Sequence, residues 1–184
     1  ILNNIDEFIR RNKFNIKSKK PIISILPGSR KQEIKKILSD ILKVIKKFPN
    51  YRFIVAGVSH IDKEFYKEIL NGNNTEIVFN KTYQLLNSSS YSIVASGTAT
   101  LETALFNVPQ IVCYKTNFMN YFLAKFIVKI KFISLVNIIM GREVVKELIQ
   151  NDVNPKKIEM ELSNLFNNSK INGDYKELRK IIGK

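Results

Sequence analysis

A chain of 184 residues, 45% hydrophobic and 25% charged, is long enough for one domain with a sizeable core and has the make-up of an ordinary globular protein. Its formal charge of +14 calls for an anionic partner (nucleic acid, an anionic membrane surface or a phosphorylated substrate) or simply reflects a chain rich in Lys, Ile and Asn together. The single Cys113 excludes an internal disulfide, and the single His60 excludes a histidine-rich metal site and leaves zinc too few ligands.

Short β-branched runs alternate with longer helical patterns along the chain. Residues 1–20 read as an incoming linker or helix. Pro21–Leu26 is a predicted strand, followed by a helix over Lys31–Phe48 with Ile34, Ile37, Leu38, Ile41 and Leu42 on one face. Tyr51–Gly57 is the next strand and Asp62–Leu70 the next helix, ending at the turn Asn71–Asn74. A strand over Thr75–Phe79 and a helix over Thr82–Asn87 follow. Then come the strand Ser92–Ala95, the helix Thr100–Phe106 and the strand Gln110–Tyr114. Helices are expected over Asn117–Ile130, Gly141–Gln150 and Pro155–Phe166, with a carboxyl-terminal tail over 168–184 that packs as a helix around Tyr175–Ile182. No uninterrupted apolar run reaches the roughly 18 residues of a membrane-spanning helix.

Strands that are apolar almost throughout are buried on both faces, as in a parallel sheet covered by helices. The repeated strand–helix units therefore predict an α/β fold: a Rossmann-like, doubly wound and mainly parallel sheet over 21–167. In such sheets ligands bind beyond the carboxyl ends of the strands, and two turns stand there.

The first turn is Leu26-Pro-Gly-Ser-Arg-Lys-Gln-Glu-Ile34. Ser29 and Gln32 have the spacing of a capping box, which makes Ser29 the expected N-cap. Capping does not account for Arg30 and Lys31, since two cations in a first turn oppose the helix dipole at a cost of about 0.3–1 kcal/mol each. An anion held there offsets that cost, and a guanidinium grips a diphosphate through paired hydrogen bonds. The second turn is Ala95-Ser-Gly-Thr-Ala-Thr-Leu-Glu102. Gly97 lets the backbone come close to a ligand, the first helical N–H groups lack internal partners, and Glu102 can accept hydrogen bonds from sugar hydroxyls. The structural alternative is a capped turn whose early Glu suits the dipole, yet with Thr98 as N-cap a capping box would need Glu or Gln where Leu101 stands. Neither turn is a P-loop or a dinucleotide fingerprint.

Cys113 lies in the apolar run Gln110–Tyr114 and reads as a buried strand thiol. Asn117–Phe132 mixes aromatics and Met with Lys125, Lys129 and Lys131, the pattern of a core helix or of an interfacial helix on anionic lipid. No arginine-rich or aromatic-interleaved pattern supports nucleic-acid binding.

Taken together, Leu26–Arg30 with Glu33, Ala95–Glu102, Pro109-Gln-Ile-Val-Cys-Tyr-Lys115, Ile133-Ser-Leu-Val-Asn-Ile-Ile139 and Gly141-Arg-Glu-Val-Val-Lys-Glu-Leu148 closely resemble the lipid-A-disaccharide synthases, in order and with matching spacing. The resemblance implies the carboxyl-terminal half of an inverting glycosyltransferase built from two Rossmann-like domains. Such enzymes move 2,3-diacylglucosamine from its UDP donor to 2,3-diacylglucosamine 1-phosphate, form a β-1,6 linkage and release UDP. It implies that Arg30 meets the diphosphate, that backbone groups near Gly97 and Thr98 cradle it, that Gly28, Ser29 and Ser96 also bind the substrate, that Glu102 binds the ribose, and that Asn137 lies near the donor. Val136 stands where many members have proline before that asparagine.

The resemblance also implies a cytoplasmic protein peripheral on the inner membrane, no cofactor and no metal. It places the general base in an amino-terminal domain, expected to be missing because the chain begins Ile1-Leu2-Asn3 without Met. The expectation for this chain alone is weak UDP binding without transfer. Alternatives are a UDP-sugar 2-epimerase-like enzyme and a non-catalytic UDP-sugar or membrane-binding domain.

Overall fold

A computed structural model describes residues 2–11, 16, 18–73, 75–115 and 131–183. In chain order these form α1 (Leu2–Arg11), β1 (Ile22–Leu26), α2 (Lys31–Ile45), β2 (Arg52–Gly57), α3 (Lys63–Leu70), β3 (Glu76–Phe79), α4 (Thr82–Asn87), β4 (Tyr91–Ala95), α5 (Thr98–Leu105), β5 (Gln110–Tyr114), α6 (Leu135–Met140), β6 (Lys146–Ile149), a 3-10 turn over Gln150–Asp152, α7 (Pro155–Phe166) and α8 (Ile171–Ile182).

The strands make one six-stranded sheet in the order β3-β2-β1-β4-β5-β6, every pairing parallel. The predicted doubly wound Rossmann-like sheet is therefore the one observed. Burial on both faces explains the composition: all five residues of β1 are buried, as are Phe53–Gly57 in β2 and Ser92–Ala95 in β4. Each such Ile, Val or Leu stabilises the fold by about 1.5–3 kcal/mol.

Two polar residues interrupt the central strands, and they do so opposite each other. Ser24 and Ser92 are register partners across β1 and β4, and Ser24 Oγ donates to Ser92 Oγ at 2.9 Å. Ser92 Oγ in turn donates to the Ser24 carbonyl at 3.2 Å. A one-residue slip would bury these hydroxyls against aliphatic side chains, so the pair fixes the register between the two middle strands. That junction is where the strand order reverses: β1 leads outward to β2 and β3 on one side, and β4 leads to β5 and β6 on the other.

The two end segments share the same core. Ile5 of α1 is buried, and Phe8 packs edge-on against Tyr83 and Phe106. Ile171, Tyr175 and Leu178 of α8 are buried, and Gln110 Nε2 donates to Tyr175 Oη at 3.2 Å. An ion pair, Arg179 to Asp6 at 2.8 Å, joins α8 to α1.

One predicted element is wrong. Residues 141–150 form a turn and the edge strand β6 instead of a helix. Lys146, Glu147 and Leu148 are sound helix formers, but the segment starts at Gly141, whose φ of +66° ends α6 in the left-handed region. The amides of Val144 and Val145 are then taken by the Asn137 side-chain oxygen, Oδ1, rather than by a helix. The predicted helix over Asn117–Ile130, and with it most of the candidate membrane-facing stretch, lies outside the described residues.

Candidate functional site

The carboxyl ends of β1 and β4 are neighbours, with Leu26 in register with Val94, so both predicted turns meet at the point where the strand order reverses. This is the crevice in which an open parallel sheet holds its ligand.

In the first turn Gly28 has φ +101°, a conformation that L side chains rarely adopt. A Cβ there would also stand 3.3 Å from Ala95 Cβ and 3.5 Å from Glu33 Oε2. Glycine thus brings the first turn directly against the end of β4. The expected capping by Ser29 is not what forms: α2 begins at Lys31 and Arg30 occupies the N-cap position, with no side-chain cap. The reason is tertiary. Past Gly28 the exposed Ser29 turns its carbonyl toward His60, whose Nε2 lies 2.9 Å away and, facing a carbonyl, must carry the proton. The helix starts one residue later, and Arg30 at its N-cap gives it no side-chain cap. Arg30 is exposed (side chain 79%) and reaches back to Glu33 Oε1 at 3.2 Å, a surface pair that a diphosphate can replace. Lys31 leans away from the crevice, with Nζ 3.9 Å from Asp62 and 5.7 Å from the centre of the Phe65 ring.

In the second turn the helix begins two residues earlier than predicted, at Thr98, so Gly97 and not Thr98 is the N-cap. Gly97 adopts φ +137° and ψ −162°, and a Cβ there would meet no described residue within 4 Å. Among the described residues the backbone is open on that side, the condition for close approach by a ligand. Gly97 has no side chain with which to cap α5, and both the Thr100 amide (3.1 Å) and Thr100 Oγ1 (2.8 Å) donate to the Gly97 carbonyl, which leaves the amides of Thr98 and Ala99 at the start of the helix. Ser96 is fixed at both ends: its amide donates to the Cys113 carbonyl at 3.1 Å and its hydroxyl to the Ile133 carbonyl at 3.3 Å. Two helix N-termini, neither capped by the side chain of its N-cap residue, therefore converge on one crevice and bring the positive ends of two dipoles to it.

Glu102, half-buried in α5, takes a hydrogen bond from Tyr83 Oη to its Oε1 at 3.0 Å. Burial first, then the nearby carboxylate, pushes the Tyr83 phenol up to about 12. Tyr83 is a contact that the sequence did not mark, because nothing in α4 distinguishes it from a core aromatic.

Asn137 is placed differently from the other candidates. It is fully buried, and its amide group is spent inside the chain. Nδ2 donates to Val145 O and to Glu147 Oε1, both at 2.8 Å, and Oδ1 accepts from Val144 N at 2.7 Å and Val145 N at 2.9 Å. Two donors and two acceptor sites are then used, so this side chain reaches a ligand only through the loop it holds. Glu147 completes the bracket by accepting from Ile133 N, Ser134 N and Ser134 Oγ at 2.8–2.9 Å. Ile133 is also the residue that receives the Ser96 hydroxyl, so the bracket buttresses the second turn.

Two residues of the sequence motifs belong to the fold. Lys115 Nζ lies 2.5 Å from Asp40 Oδ2 and donates to Val153 O at 2.8 Å. Cys113 is fully buried, and burial pushes its thiol up to about 12, which keeps it an unreactive core residue. Among the described residues no three His, Cys, Asp or Glu side chains form a metal-binding group, and no helix is long and apolar enough to cross a membrane.

The lipid-A-disaccharide synthetase family pattern matches residues 2–182. The chain belongs to this family. Its lipid-A-disaccharide synthase relatives include those of Wigglesworthia glossinidia brevipalpis, 36% identical over 97% of this chain and 48% of the relative, and of Acinetobacter baylyi, 35% identical over 81% and 42%. The chain spans about half the length of the curated relatives it matches. Among solved structures the fold is shared with the spinosyn rhamnosyltransferase SpnG in complex with thymidine diphosphate (TM-score 0.60, 12% identity, 91% of this chain and 42% of that one). It is also shared with the UDP-GlcNAc 2-epimerase of Neisseria meningitidis bound to UDP-GlcNAc (TM-score 0.56, 16% identity, 98% and 51%). At such identities these two likenesses speak to the fold of this member of the family, a sheet type on which nucleotide-sugar enzymes of more than one chemistry are built.

Proposed function

We propose that this chain is the donor-binding part of a lipid-A-disaccharide synthase. It holds UDP-2,3-diacylglucosamine while the sugar passes to 2,3-diacylglucosamine 1-phosphate, with a β-1,6 linkage formed and UDP released. The observation that carries the reading is the convergence, at the point where the strand order reverses, of two helix N-termini with the exposed Arg30 and the half-buried Glu102 beside them.

The parts have distinct tasks. Arg30 exchanges its exposed pairing with Glu33 for the diphosphate, and the amides after Gly28-Ser29 and Ser96-Gly97-Thr98 cradle its oxygens. Glu102 accepts hydrogen bonds from the ribose hydroxyls. As the glycosidic bond breaks, negative charge grows on the leaving diphosphate, and fixed N–H dipoles with one guanidinium stabilise it where it forms. No cofactor enters this scheme. The acceptor hydroxyl must lose a proton, and we assign that base to an amino-terminal domain partnering this one across the crevice. The same reading has the protein working at the cytoplasmic side of an anionic inner-membrane surface, where its acylated substrates reside.

The reading is tested by calorimetric titration of the chain with UDP in metal-free buffer, alongside Arg30→Ala and Glu102→Ala. Binding by the wild type that falls at least about tenfold in each variant supports it, one charge-assisted hydrogen bond being worth that much or more. A folded wild-type chain that ignores UDP, or variants that bind like wild type, would overturn it.

A further inference from the structure

The Tyr83–Glu102 contact goes beyond a bare carboxylate waiting for a sugar. We propose that Tyr83 is a positioning residue for the donor nucleotide, holding the Glu102 carboxylate in the orientation that receives the ribose hydroxyls. The inference rests on the reading above, in which Glu102 binds ribose.

Tyr83 lies in the first turn of α4 and Glu102 in the second turn of α5, and both turns open at the crevice end of the sheet. The phenol donates to Oε1 at 3.0 Å, while Oε2 has no partner among the described residues. A carboxylate offers about four acceptor positions, so one bond to Tyr83 fixes the group in place and leaves room for a pair of neighbouring hydroxyls. The phenol itself is well anchored. Its ring packs edge-on against Phe8 at 5.5 Å and tilted against Phe106 at 5.2 Å, and Phe106 stands one helical turn beyond Glu102 on the same face of α5. A raised ionisation range keeps the hydroxyl a donor throughout the neutral and mildly alkaline range.

The physical gain is preorganisation. A glutamate side chain free to sample its rotamers loses that freedom when it binds a ligand, whereas one already tethered loses less. The tether also ties donor affinity to α1, because Phe8 is one of the two rings that hold Tyr83.

The test uses Tyr83→Phe, which keeps the ring packing and removes only the hydroxyl, with two ligands: UDP and 2′,3′-dideoxyuridine 5′-diphosphate. Wild type is expected to prefer UDP. Y83F should bind UDP about fivefold more weakly, the value of one net hydrogen bond, and bind the dideoxy analogue as wild type does. E102A should abolish the preference, and Y83F combined with E102A should lose nothing more than E102A alone. Equal weakening of both ligands in Y83F would show a merely structural bond and overturn the proposal, as would unchanged UDP affinity. A preference for UDP that survives E102A would instead refute the ribose reading of Glu102, and the proposal would fall with it.

Discussion

Two polar regions of this molecule carry family motifs, and they spend their hydrogen bonds in opposite ways. At the carboxyl ends of β1 and β4 the N-cap residues Arg30 and Gly97 make no side-chain cap, Arg30 is exposed, and no described residue stands within 4 Å of where a Gly97 Cβ would be. Around Glu147 and Asn137 each side-chain oxygen and nitrogen is engaged, and Asn137 is fully buried. The first region is the one proposed above to receive the donor; the second holds a loop in place. Motif membership alone does not separate the two; a census of hydrogen bonds does.

The comparison predicts opposite effects of mutation. The largest stability loss is expected for Asn137→Ala, which strands the amides of Val144 and Val145 and leaves Glu147 short of a donor. Unfolding in urea should show a loss of about 3 kcal/mol or more, as buried groups left unpaired cost about 1–3 kcal/mol each. Glu147→Leu should behave in the same way. Arg30→Ala and Glu102→Ala should reverse the pattern, with stability within about 0.5 kcal/mol of wild type for exposed Arg30 and UDP affinity sharply reduced in both. If Asn137→Ala were stable and selectively defective in UDP binding, the division between the regions would collapse.

Gly97→Ala comes next. Space is free, so the cost is backbone strain at φ +137°, about 1–3 kcal/mol, and its thermal midpoint should fall accordingly. The smallest effect concerns Tyr83. Its phenol is raised from 10.0 to about 12, so the neutral donor is favoured by the fold. The stability this contributes is full below pH 10 and is lost as pH rises through about 12. The difference in ultraviolet titration between wild type and Y83F should therefore show a phenol ionising near 12; one ionising near 10 would remove the half-buried contact with Glu102.

Much of the fold was legible because buried parallel strands leave a strong sequence mark. Ile22–Leu26, Arg52–Gly57 and Gln110–Tyr114 are apolar enough to be read without tertiary information. The edge strand β6 was not. Lys146-Glu147-Leu148-Ile149 faces solvent in part and carries helix-forming residues, and what makes it a strand is pairing with β5 and the capture of the preceding amides by Asn137. The two turns were legible as loops at the carboxyl ends of neighbouring strands, but the first helix is capped at Arg30 rather than at the expected Ser29, and the second begins at Thr98, two residues before its predicted start at Thr100. In the first case a distant residue, His60, holds the Ser29 carbonyl. Tyr83 and Glu147 were missed as partners for a similar reason: a single side-chain contact between separate elements leaves no local periodicity to read.

The most direct test of the account is a nitrogen–proton correlation spectrum of the isotope-labelled chain during titration with UDP. Amides of Ser29–Glu33 and Gly97–Ala99 are expected to shift together with one saturation curve, while Val144 and Val145, whose protons are held by Asn137, shift little. Shifts centred on Val144 and Val145 with the two turns unmoved would contradict the placement of the donor site at the ends of β1 and β4.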